Sequence, residues 1–199
     1  MKFKVLETIN AELFPQWDVL LDLHINSFLD IFSTHKQVNK NDMAEIIEYS
    51  FLCDFLECSD YAEFFMIFNL YTKDYQGEFV KVFTKLFLND LIDFYINDEK
   101  QNTLSAYTKD KDKNWKYFLD NYINKECFYI DDFCIASWDI PSSWNKYNIN
   151  AIITPKGTKY FNEILAPKFY NKYKDLEVEI DDKGNIIRWI GEINKDKKY

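Results

Sequence analysis

The side chains in this sequence best placed to do chemistry are carboxylates. Asp131 and Asp132 stand side by side, and Glu177, Glu179 and Asp181 recur at every second position. Neighbouring residues on a strand point to opposite faces, so Asp131 and Asp132 are not placed to share a metal or to work as an acid–base couple. The second set differs. Its spacing puts three carboxylates on one strand face, where they could hold a cation, meet a basic partner or lie in solvent opposite Arg188, the chain's only arginine. Together with Trp138 and Trp144 as aromatic anchors, Asp131, Asp132, Glu177, Glu179 and Asp181 form the candidate partner-binding set.

Other reactive arrangements are poorly supplied. His24 has Leu20 and Phe28 four residues to either side, so its helix offers it neither a second metal ligand nor an orienting carboxylate. His35 is expected just past that helix, where positive charge suits the exposed carbonyls. Cys53 and Cys58, five apart on a predicted helix, diverge by about 140°, and Cys127 and Cys134, seven apart in a strand-like segment, face opposite sides. All four read as reduced core thiols. Asp110, Asp112 and Asn114 imitate the opening of a calcium loop, but Trp115 stands at the obligatory glycine and Asn121 at the closing glutamate. Ser142 and Ser143 lack the glycines of a nucleophile elbow, and no glycine-rich phosphate loop occurs. No catalytic residue, metal or cofactor is expected.

The elements that must position these residues are mainly helices. Val80, Phe83, Phe87, Leu91, Phe94 and Tyr95 recur at helical spacing, with Lys81, Lys85, Asn89 and Asp93 on another face. Asp60 to Glu63 reads as a capping box opening a further helix through Tyr71, and Asp42 to Glu45 repeats the pattern for one reaching Glu57. Pro15 opens an amphipathic helix ending near Phe32, and Trp115, Phe118, Leu119 and Tyr122 mark another. Strand signals come later. Met1 to Ile9 suggests an edge strand or an extended lead-in, Phe128 to Trp138 one or two strands, and Ala151 to Thr154 a short apolar run before a helix interrupted at Pro167. If Lys183-Gly184 is a two-residue turn, Val178 opposes Trp189 and Glu179 opposes Arg188.

The expected fold is therefore α+β: a predominantly helical, aromatic-rich bundle over about 10–125, then an α/β part over about 126–193 with a small antiparallel element and a C-terminal hairpin. Residues 194–199 read as a frayed tail, and the whole as a single domain. At 199 residues and 47% hydrophobic content the chain can bury its own core without disulfides. No secretory leader or membrane-length apolar run is evident, so a cytoplasmic setting is expected.

A net charge of -9 disfavours a general nucleic-acid surface and suits a basic partner. One segment runs the other way. Lys146, Lys156, Lys159, Lys168, Lys172 and Lys174 are opposed only by Glu163 and lie where a helix and then a hairpin follow, the order of a winged-helix DNA binder. The missing arginines and the acidic remainder weigh against that use. The favoured reading is a protein-binding module with the general character of proteins that bind and block a basic partner, such as immunity proteins, although no motif carries a family resemblance. The alternative is a small enzyme whose site assembles only in three dimensions.

Overall fold

The structure is a computed structural model, described here over residues 2–4, 32, 34–57, 61–63, 76–96, 103–122, 128–130, 136–138, 149–182 and 185–195. The architecture is α+β. In chain order it comprises strand β1 (Lys2–Lys4), helix α1 (Lys40–Glu57), β2 (Tyr61–Glu63), α2 (Gln76–Leu88), β3 (Ile92–Ile96), a 3-10 turn (Leu104–Ala106), α3 (Lys111–Tyr122), β4 (Phe128–Ile130) and β5 (Ala136–Trp138). There follow β6 (Ile149–Ile153), α4 (Pro155–Tyr160), a π turn (Phe161–Leu165), α5 (Ala166–Tyr173), β7 (Glu177–Ile180) and β8 (Ile186–Ile190). The helix expected from Pro15 lies outside the described residues apart from Phe32, as does the stretch 64–75.

Two compact units emerge, Met1–Tyr49 with Asn162–Tyr199, and Ser50–Phe161. In the first, a sheet of order β1-β7-β8 is entirely antiparallel. The expected edge strand is there. Val178 faces Trp189 and Glu179 faces Arg188, as the alternation requires, but the register then shifts so that Ile180 meets Ile186. Asp181 N–H reaches the Asn185 carbonyl at 2.9 Å. The connection thus holds one residue more than a two-residue turn. The core of this unit gathers Phe32, Ile46, Ile47, Phe169, Tyr173, Leu176 and Val178. Tyr49 stacks on Phe169 at 3.9 Å, and Phe32 meets Tyr173 edge-on at 5.6 Å.

The second unit contains a sheet of order β2-β6-β3 and the separate β4-β5 pair. Two stretches depart from the expected helices. Asp60 to Glu63 does not open a helix, since Tyr61–Glu63 pairs antiparallel with β6. The helix carrying Phe83 and Phe87 ends at Leu88, and Phe94 and Tyr95 belong to β3, also paired with β6. A Schellman stop closes it: Asp90 takes φ 60°, its N–H reaches the Phe87 carbonyl, and Leu91 N–H reaches that of Leu86. Phe94 remains in the core, stacked on Phe118 at 4.4 Å beside Trp115.

Two further ends are set by polar contacts. Thr154 caps α4 by accepting from Gly157 N–H at 3.0 Å, and its hydroxyl donates to the Asp90 carbonyl at 2.6 Å. Gly157 must lack a side chain, because a Cβ there would stand 2.0 Å from the Leu91 carbonyl oxygen. Pro167 does not break the helical run. It has no N–H to give the carbonyl four residues back, and the run widens into the π turn before resuming as α5.

Candidate functional site

Helix α1 starts three residues earlier than the Asp42 capping pattern suggests, and the difference creates a site. Asn39 is the cap, accepting from Asn41 N–H at 2.9 Å and Asp42 N–H at 3.2 Å. Asp42 reaches back to Asn39 N–H at 2.8 Å, completing a reciprocal capping box. Asp42 and Glu45, three apart, project from the same side of the first turns. Lys168 and Lys172, four apart, do so from α5.

The two faces meet within the first unit. Lys172 Nζ lies 2.7 Å from Asp42 Oδ1 and 2.8 Å from Glu45 Oε1. Lys168 Nζ lies 2.5 Å from Glu45 Oε2, and Lys195 Nζ 3.0 Å from Asp42 Oδ2 while also donating to the Gln37 carbonyl. The Asp42 and Lys172 side chains are only 7% and 12% exposed, against 55% for Lys168 and 37% for Lys195. The floor is therefore a buried ion pair and the rim is two accessible ammonium groups. Asn39, Asn41, Asn171 and Asn194 complete a cleft of about 300 Å³.

The electrostatics follow from this packing. Burial pushes the Asp42 carboxyl upward, but Lys172, the Asn39 amide and Lys195 together outweigh it and hold the group below the usual carboxylate range. Asp42 thus stays ionised and is no general acid at neutral pH. Beneath the cleft the Tyr173 ring lies 5.1 Å from Lys172 Nζ. Its hydroxyl is buried without a hydrogen-bond partner among the described residues, and burial with the charges of Glu45 and Asp42 pushes its pKa far up. What this arrangement can do is hold charge.

The C-terminal segment closes one side, with contacts through Lys195. Ile193 is buried, with its N–H on Gln37 Oε1 at 3.1 Å, and Asn194 N–H bonds the Lys172 carbonyl at 2.9 Å. His35 supports the same turn, but not as a cation. It is buried, its Nδ1 accepts from Gln37 N–H at 3.2 Å, and burial and Lys195 lower its pKa.

The residues singled out in the sequence fare unevenly. Asp131, Asp132 and Trp144 lie outside the described residues. Trp138 ends β5, its backbone paired with Phe128. Glu177 and Glu179 sit together on β7, yet Lys4 and Lys2 face them in register from β1. Arg188 Nε lies 2.6 Å from Glu179 and, by its hydrogen bond above all, lowers that carboxyl's pKa. Asp181 accepts from the Asn185 amide at 2.8 Å and its side chain at 2.9 Å. Asp110 caps α3, accepting from Lys113 N–H at 3.1 Å.

The lysine-rich segment divides between the two units. Lys156 donates to the Asn89 carbonyl at 2.8 Å in the second, while Lys168 and Lys172 are held by Glu45 in the first. Among the described residues, no group of three His, Cys, Asp or Glu side chains could hold a metal ion, and no helix is long and apolar enough to cross a membrane. The chain matches no protein-family model, no curated protein and no solved structure.

Proposed function

We propose that this chain is a cytoplasmic protein-binding module that binds and blocks a basic protein partner. The observation that carries this reading is the placement of its charge. The first 72 residues hold twelve acidic residues against four lysines, so eight of the nine net negative charges belong to them. From Asn41 to Thr72 there is no lysine or arginine at all. An excess of one sign on one part of a chain steers an oppositely charged partner and raises its association rate.

Within that part, Asp42 and Glu45 are neutralised by lysines of the cleft. Partner contact is therefore assigned first to Glu7, Glu12, Asp18, Asp22 and Asp30, a stretch with five carboxylates and no basic residue but His24. Asp131, Asp132, Trp138 and Trp144 form the second contact group. Glu177 and Glu179 contribute less than their spacing suggests, because Lys4 faces the first and Lys2 and Arg188 the second across the sheet, and Asp181 because Asn185 takes its carboxylate.

Affinity capture of the tagged full chain from its host's lysate, at low and moderate salt with mass spectrometry of the bound material, tests this. A single stoichiometric basic protein, lost when the five N-terminal carboxylates are changed to their amides, is the expected result. A chain that returns alone at both salts, or one that returns with nucleic acid, contradicts it.

A further inference from the structure

The polar cleft of the first unit has a charge balance that its own residues do not complete. Among the described residues that line it, two carboxylates face three ammonium groups, one positive charge in excess, and the next carboxylate, Asp175, stands outside the lining and accepts from Asn194 at 3.0 Å. Lys172, on the floor, lies between Asp42 and Glu45, and each rim lysine touches one of the same carboxylates. An ammonium has three N–H donors. Among the described residues Lys168 directs one to Glu45, while Lys195 directs two, to Asp42 and to the Gln37 carbonyl. Donors are thus left at the mouth, where both side chains are accessible.

The remaining lining is made of neutral amides. Asn39, Asn41, Asn171 and Asn194 line it without any apolar side chain among them, although Asn194 already donates to the Asn171 carbonyl and the Asp175 carboxylate, and Asn171 to the Pro167 carbonyl. At about 300 Å³ the cleft sits at the small end of ligand sites. Lysine is a compact, rotatable point charge, suited to the several oxygens of a phosphoryl group. We propose that this cleft binds a small phosphate-bearing anion, held between Lys168 and Lys195 and hydrogen-bonded by the side-chain amides of Asn39 and Asn41. The carboxylate floor then serves to hold the lysines in place. This site is independent of the basic-partner reading and stands or falls apart from it.

The test is a ¹H–¹⁵N NMR titration of the full chain with inorganic phosphate and, separately, with glycerol 3-phosphate, at constant ionic strength and with chloride as the control. Saturable shifts in the side-chain amides of Asn39 and Asn41 are expected, with half-saturation at about millimolar or below. In the Lys168→Gln, Lys195→Gln double variant the half-saturation point should rise at least about tenfold, while signal dispersion shows that the chain still folds. Tighter binding of the monoester assigns the cleft to a phosphorylated small molecule, and equal binding to free phosphate. Shifts that grow linearly, that chloride reproduces, or that survive in the double variant overturn the proposal.

Discussion

Tyr173 carries a hydroxyl into the core of the first unit without a hydrogen-bond partner among the described residues. A buried polar group without a hydrogen bond costs roughly 1–3 kcal/mol, so Tyr173→Phe should leave stability unchanged or raise it by up to about 1 kcal/mol. Urea denaturation measures this, and the ring's contact with Lys172 survives the change. Lys172 is the opposite case. Replacing it with methionine leaves Asp42 and Glu45 facing each other with reduced compensation and should cost about 2–4 kcal/mol at neutral pH. The pH dependence has a definite sign. His35 has a lowered pKa in the folded chain, so its contribution is present above its unfolded value of 6.5 and is lost as pH falls below it. Asp42 also has a lowered pKa, so its contribution is present above its unfolded value of 3.8 and disappears as pH falls through the folded value. Urea midpoints followed downward from pH 8 should therefore decline in two stages, the first reduced in His35→Leu and the second in Asp42→Asn. At this scale the sequence carried little warning. Asp42 and Glu45 three apart, and Lys168 and Lys172 four apart, are visible as same-face pairs, but only the packing of α5 on the start of α1 shows that they meet.

The helix stop at Asp90 shows what element boundaries conceal. Glycine usually takes the left-handed position after a helix, and here an aspartate does, with Lys111 and Lys156 beside its carboxylate. Without a glycine as signal, the apolar spacing runs on through Phe94 as though the helix continued. Asp90→Gly should be neutral or stabilising, because it removes left-handed strain while losing only exposed ion pairs, whereas Asp90→Val should cost about 1–2 kcal/mol. Thermal denaturation of the two variants side by side gives the order. The strand beyond the stop is hidden for a second reason. Asp93 breaks its apolar run and is buried, accepting from Phe94 N–H at 2.8 Å and Ser105 N–H at 3.1 Å. Where the side chains themselves make the case, the elements were legible. α3 and the Val178–Trp189 and Glu179–Arg188 pairings of β7-β8 follow the periodicity and alternation of their residues, and the strands expected between Phe128 and Trp138 are the β4-β5 pair.

On the scale of the whole molecule, the α+β class was readable because helical and strand periodicities are both strong and occupy different stretches. The strands β2 and β3 were not, since each finds its partner in β6, far along the chain, and such pairing leaves no local mark. Charge tells a similar story. The net value of -9 is plain in the composition, and it is concentrated before residue 73, whereas Glu177 and Glu179 of β7 are answered by lysines of their own sheet. We propose that this acidic stretch of sequence is what draws a basic protein to the chain. Titration calorimetry of the purified chain against the captured partner, at low and moderate salt, tests it most directly. The affinity should weaken at least about tenfold with salt, and by a similar factor at low salt when Glu7, Glu12, Asp18, Asp22 and Asp30 become amides. An affinity indifferent to both changes would contradict an electrostatic interface on this part of the chain.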